Sequence, residues 1–213
     1  MRISQLSAAS RVPIPTIKYY LREGLLPPGE QTSATRAEYG ERHVRRLRLI
    51  RALLEVGRLP IASIHKVIAA VDDENLSMHH VLGTAHHAVA PAVELHTGDE
   101  AWTHARAVAD DLIGDLGWQV NPDAPARDEL AQTILTLDQL GMPATDETLR
   151  HYAETAAGLV TEREIGTIPI DGPREAAVEA LVIGTVVYGR ILDVMRRLAQ
   201  ESASARAFGI SYD

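Results

Sequence analysis

The chain has 213 residues, 46% apolar and 23% charged, a balance that builds a core in an ordinary globular protein of one large or two small domains. No apolar run approaches the roughly 18 residues of a bilayer span, and the start MRISQLSAAS carries no apolar signal segment, so the expected location is cytoplasmic. The absence of cysteine excludes disulfides, thiolate metal centres and a cysteine nucleophile, and the net charge of -8 hides two opposite halves. Through Val71 there are 12 basic residues against five acids; the remainder holds 9 basic residues against 24 acids. That asymmetry points to a basic module that approaches a polyanion and an acidic module with another task.

In chain order, Ser4 is placed to cap a short helix with Leu6 and Ala9 on its apolar side, closed by Val12. Pro13-Ile14-Pro15 then opens a second helix through Glu23, and Gly24 suits the left-handed position after its end. Two short helices across so short a turn form a helix-turn-helix. Its second helix exposes Thr16, Lys18, Tyr19 and Arg22 and turns Ile17, Tyr20 and Leu21 inward. From Pro27 to Tyr39 periodicity disappears and Pro, Gly, Thr and Ser dominate, which reads as a loop or small β-hairpin carrying Arg36. Helices follow over Glu41–Val56, with Arg42, Arg45, Arg46 and Arg48 spread around its outer faces, and over Ile61–Val71 after Gly57 and Pro60.

The order IPTIKYYLREGLLPP, a wing with Arg36, then HVRRLRLIRALLEVGRLPIASI resembles the DNA-binding module of MerR-type transcriptional regulators over about residues 2–71. The resemblance implies a winged helix-turn-helix, a homodimer, and control of transcription with RNA polymerase at promoters that the protein distorts. It places Thr16 and Lys18 at the major groove and phosphates, Tyr19 at a phosphate with Tyr20 bracing it, and Arg36 at the wing. Arg22 and Tyr39 complete the expected DNA-contact set. The chain departs from the family pattern at Lys18, where arginine is usual, and at Pro13, where a serine cap is usual. Arg11 stands where a turn glycine is common, and Glu30 where the wing often has arginine. Lysine lacks the bidentate fork of arginine, and Glu30 would repel a phosphate. The 19 Arg against 2 Lys, with abundant Ala, fit a GC-rich bacterial composition.

Beyond the charged break Asp72–Asn75 the chain reads as helix almost throughout: 78–95, 100–116, 127–140, 147–164 and 174–203, punctuated by Gly and Pro. Only Gly166–Ile170 could alternate as a strand, and it is short. The expected architecture is mainly all-α, with a winged helix-turn-helix domain at 1–75 and a helical bundle domain at 76–213 for dimerisation and effector binding. No catalytic motif occurs, so an enzyme is not expected. Nor is a cofactor or metal: His79 and His86 lie about 10.5 Å apart along a helix, whereas zinc ligands sit within about 4 Å of one another.

If a small-molecule effector binds, the aromatics Trp102, Trp118, Tyr152 and Tyr188 and the carboxylate Glu179, flanked by apolar neighbours, are its candidate contacts. The alternative is a DNA-tethered protein-interaction or architectural module without an effector. For the dimer seam, residues 78–95 are Ala-rich and interrupted by Gly83 and Pro91. The helix from Arg174 has two apolar faces, Leu181, Thr185, Tyr188, Leu192, Met195 and Ile183, Val187, Ile191, Val194, Leu198. It is therefore expected to contribute to dimerisation, together with residues 130–140.

Overall fold

The computed structural model describes residues 1–33, 36–94 and 98–212, with the side chains of Ser33 and Arg36 outside the described set. Two compact units result: Met1–Ala88 joined by Ile168–Asp213, and Val89–Thr167. The sequence division at 75/76 and these unit limits do not coincide, because the two ends of the chain share a unit.

The first unit begins with α1 (Ile3–Ser10) and α2 (Ile14–Arg22). Helix α1 starts one residue before Ser4, with Arg2 at the cap position, so Ser4 is not the cap. Strands β1 (Glu30–Ser33) and β2 (Arg36–Glu38) pair antiparallel with Glu30 opposite Glu38 and an irregularity between Gln31 and Ser33. Helix α3 (Glu41–Arg51) runs on into a wider π turn (Ala52–Val56), and α4 (Ile61–Asp72) follows. Leu6, Ile17, Leu47, Ile50, Leu53 and Ile64 are wholly enclosed. These are the apolar positions of four helices whose 3.6-residue stripes converge on one core. Helix α5 covers Met78–Val89; the expected end at Leu95 lies outside the described residues, and Pro91 has already broken the pattern.

The C-terminal segment supplies the rest of this unit. Helix α9 (Arg174–Ile183) packs on α3 and its π turn, burying Ala177, Val178 and Val182. Gly57 makes the approach possible: a Cβ there would lie 3.0 Å from the Leu53 carbonyl oxygen and 3.3 Å from Val182 Cγ1. The Arg174 guanidinium donates to the carbonyls of Asp73 and Leu76, each at 2.5 Å, tying the start of α9 to the turn just beyond α4. Without a break in the helix, a π turn (Gly184–Tyr188) leads into α10 (Gly189–Ala207).

The second unit is built on α6 (Glu100–Asp115) against α7 (Pro125–Gln139), with α8 (Asp146–Leu159) beside α6. Trp102, Ala105, Ala109, Ala131, Ile134 and Leu135 form its core. Its surplus of acids is tied into the helix contacts. Arg106 pairs with Asp110 and Asp128, Arg127 with Asp110 at 2.6 Å, and Arg150 with Asp115 at 2.6 Å and Asp146 at 2.7 Å. Residues 165–167 form one tight helical turn and 168–170 are irregular, so the alternation at 166–170 yields no strand. Among the described residues no helix is long and apolar enough to cross a membrane.

Candidate nucleic-acid interface

Three residues, Arg11 to Pro13, connect α1 to α2, and serines pin that turn. Ser10 Oγ donates to Leu6 O at 2.7 Å and accepts the Val12 N–H at 3.3 Å, while Ser7 Oγ donates to Val12 O at 2.6 Å. Arg11 adopts a left-handed backbone (φ 56), a conformation glycine reaches at less cost. Proline at 13 and 15 suits the start of α2, and Gly24 at φ +73 lets the chain leave its end.

Helix α2 sorts its side chains by period. Ile17 and Tyr20 are buried, Lys18 and Arg22 are exposed four residues apart, and Thr16 and Tyr19 are half-buried. The Arg22 guanidinium lies 5.4 Å from the Tyr19 ring centroid, and the Tyr19 and Tyr20 rings stand 5.8 Å apart at 58°. Burial raises the Tyr20 phenol above its usual range, with Glu55 next in effect, so it stays neutral. Thus Lys18, Tyr19 and Arg22 come together on the outer side of α2, with Tyr20 behind them.

The base of the wing is stapled to the chain start. The Met1 ammonium donates to Tyr39 O at 2.8 Å, and the Tyr39 N–H donates to Met1 O at 2.8 Å. Tyr39, expected among the DNA contacts, is only 8% exposed, and its ring meets the His43 ring edge-on at 5.1 Å. The backbone of Arg36 forms part of β2, but its side chain is outside the described set. Glu30 and Glu38 face each other across the hairpin and give that stretch an acidic character.

His43 escaped the sequence reading. Its Nδ1 accepts the Gly40 N–H at 3.0 Å, and Nε2 then donates to Pro28 O at 3.4 Å, joining both ends of the wing to α3. The available signal was its place in the first turn of α3, where a capping side chain reaches back to the preceding backbone. Burial pushes its imidazole below the usual value.

Arg46, one of the arginines expected around the outer faces of α3, is buried and donates to Asp72 at 3.1 Å. In contrast, Arg11, Lys18, Arg42, Arg58 and Lys66 are exposed and form no ion pair with the described residues. Arg22 lies 3.5 Å from Glu23, but with these five cations left without carboxylate partners among the described residues the module is suited to phosphates.

The candidate effector residues are distributed over both units. Trp102 belongs to the core of the second unit, where Trp118 is 39% and Tyr152 58% exposed. Glu179 and Tyr188 belong to the C-terminal segment of the first. Burial raises the Glu179 carboxyl above its ordinary value, while Arg48 of α3 acts in the opposite sense. Among the described residues no group of three His, Asp or Glu could hold a metal ion.

Residues 1–71 match the family model of the MerR HTH family regulatory proteins. Over 50 residues the chain is 40% identical to a protein of Haemophilus influenzae, named HTH-type transcriptional regulator ZntR homolog; that stretch is 24% of this chain and 37% of the relative. Over its whole length it matches all of SCO5550 from Streptomyces coelicolor A3(2), a crystal structure named as that of a transcriptional regulator, with 37% identity and a TM-score of 0.79. The motif order of the first 71 residues, the outward cations of α2 and a likeness running through both units agree, and the chain belongs to the MerR HTH family, DNA-binding transcriptional regulators that are not enzymes.

Proposed function

We propose that the protein is a homodimeric, sequence-specific regulator that reads a near-palindromic promoter site in double-stranded DNA. The observation that carries this is the outer side of α2, where Lys18, Tyr19 and Arg22 stand together. In this reading Thr16 and Lys18 enter the major groove, Tyr19, Arg22 and the wing Arg36 hold phosphates, and Tyr39 supports the wing. Residues 1–75 do the reading; residues 76–213 supply the dimer and the response, with RNA polymerase as the partner at the promoter. Paired half-sites follow from two-fold symmetry.

Footprinting on the DNA upstream of its own gene tests the proposal. A protected, two-fold-related site whose affinity falls steeply with salt is expected. A folded protein that protects nothing at moderate salt overturns it.

A second reading, a protein-interaction or architectural module without an effector, is favoured by the spread of the aromatic candidates over two units. A panel of small molecules separates the two. An effector shifts the melting temperature and changes DNA affinity, because a ligand acts only through different affinities for two states. Uniformly silent compounds support the second reading.

A further inference from the structure

The helical run from Arg174 to Ala207 is about 50 Å long at 1.5 Å per residue, and its two ends live in different surroundings. The first turns are anchored. Arg174 is bonded to the carbonyls of Asp73 and Leu76, Glu175 lies 3.8 Å from the Arg46 guanidinium, and Val182 is wholly buried at the Gly57 turn.

Beyond Val182 nothing on the helix is buried. Ile183, Val187, Ile191 and Leu198 form one apolar row and Tyr188, Leu192 and Met195 another, with exposures from 38% at Tyr188 to 59% at Met195. The spacing of Val187, Ile191, Val194 and Leu198 (four, three, four) is that of a coiled-coil seam. At on the order of 200 Å² per large side chain, the exposed fractions leave roughly 600 Å² of apolar surface uncovered, close to the ~800 Å² per partner of a stable interface. A lone protein rarely presents so long an apolar stripe to water.

The charges beside the stripe fit a second copy of the same chain. Asp193 pairs within the helix with Arg190 at 2.8 Å and Arg197 at 3.5 Å, and Arg196 and Glu201 follow, so a twin meets a mixed and partly neutralised edge rather than a single repelling field. The two other candidates for the seam offer less uncovered apolar surface. Helix α5 is short and buries Val81 and Ala85, and α7 turns Ala131, Ile134 and Leu135 into the core with α6.

We infer that the uncovered stretch 183–207 is the dimer seam, occupied by the same stretch of a second copy. This rests on the dimeric reading above and gives it a place. It also gives it a lever. Because the anchored turns grip α3 and the turn just beyond α4, the seam fixes the direction in which each copy presents its α2, and hence the spacing of the two half-sites.

The test uses the full chain. Wild type should sediment as twice the 23.2 kDa chain at micromolar concentration, and Ile191→Glu with Leu198→Glu as 23.2 kDa, with dimerisation weakened at least 100-fold. Both residues are half exposed in the single chain, so circular dichroism should be unchanged, while affinity for a two-half-site DNA falls. Since the chain has no cysteine, Met195→Cys treated with a short bismaleimide should give a covalent dimer. This arm holds even where the double variant is poorly folded. A folded double variant that stays dimeric, with no crosslink at 195, overturns the seam and leaves the dimer standing; a wild type that is monomeric at 100 µM and on DNA overturns the dimer itself.

Discussion

Arg46 of α3 and Glu175 of α9, 129 positions apart in the chain, face each other at 3.8 Å within the first unit. The same guanidinium donates to Asp72 at the end of α4, and its own side chain is 6% exposed. One buried cation therefore ties together three helices, one of them contributed by the far end of the chain. A charge so placed is retained only with its carboxylates in position.

Replacing Arg46 by Met should destabilise the first unit. Removing one partner of a buried pair costs about 3–5 kcal/mol, but Asp72 is 57% exposed and rehydrates, which lowers the expected loss to about 1–3 kcal/mol. Urea unfolding followed by circular dichroism measures it. An unchanged midpoint would show that the helices are held by apolar packing alone.

Lys18→Ala and Arg36→Ala should each weaken DNA binding without unfolding the chain, flattening the plot of log K against log salt by about one unit. Tyr20→Ala should behave differently. Its ring is buried behind the outer side of α2, and truncating a large buried aromatic costs about 3–5 kcal/mol of stability. Titrations at three salt concentrations, with melting curves alongside, separate the two effects.

His43 makes the first unit sensitive to mild acid. The imidazole is neutral in the fold, with Nδ1 occupied by the Gly40 N–H and its protonation opposed by burial and then by Arg42. A folded value below the unfolded one means that the unfolded chain binds the extra proton first. Stability is therefore complete above the ordinary imidazole value and declines as pH falls through it toward the lowered value. His43→Gln should remove that decline between about pH 7 and 5, as read by thermal melts. A slope that persists in the variant assigns it to another group.

Glu179→Gln should raise the melting temperature at neutral pH. Its carboxyl is pushed up by burial, with Arg48 the opposing influence. The contribution of a raised carboxyl is fully present below its unfolded value and is lost as pH rises through the folded one. The advantage of the glutamine should accordingly vanish in acid, below the usual glutamate range. Equal melting temperatures at pH 7 would mean that Arg48 compensates the burial.

Local pattern carried most of the helix map. Proline and glycine placed the starts and ends of α2, α4 and α7 and the start of α9 within about two residues, and period 3.6 separated Lys18 and Arg22 from Ile17 and Tyr20. What local pattern does not encode is the partner. The apolar positions of 174–183 state that the helix needs neighbours, and nothing in them names α3 or the Gly57 turn. The burial of Arg46 was illegible for the same reason, since an arginine on a helix looks solvated until its carboxylates arrive from residues 72 and 175. Tyr39 lies between β2 and α3, outside any regular period, so its packing against His43 left no periodic trace. Removing the chain beyond Asp171 is a poor probe of the seam, because it also strips α9 from the core of the first unit.

That shared unit has a consequence in time. Synthesis proceeds from the N-terminus at about 5–20 residues per second, so α9 leaves the ribosome on the order of ten seconds after α4. During that interval the nascent protein owns its recognition helix, yet the flank of α3 is bare and Arg46 lacks one carboxylate. A chain that stops early, or is clipped before Arg174, keeps α2 and the wing but lacks the helix that braces α3. Completion of α9 is the event that closes the core of the first unit.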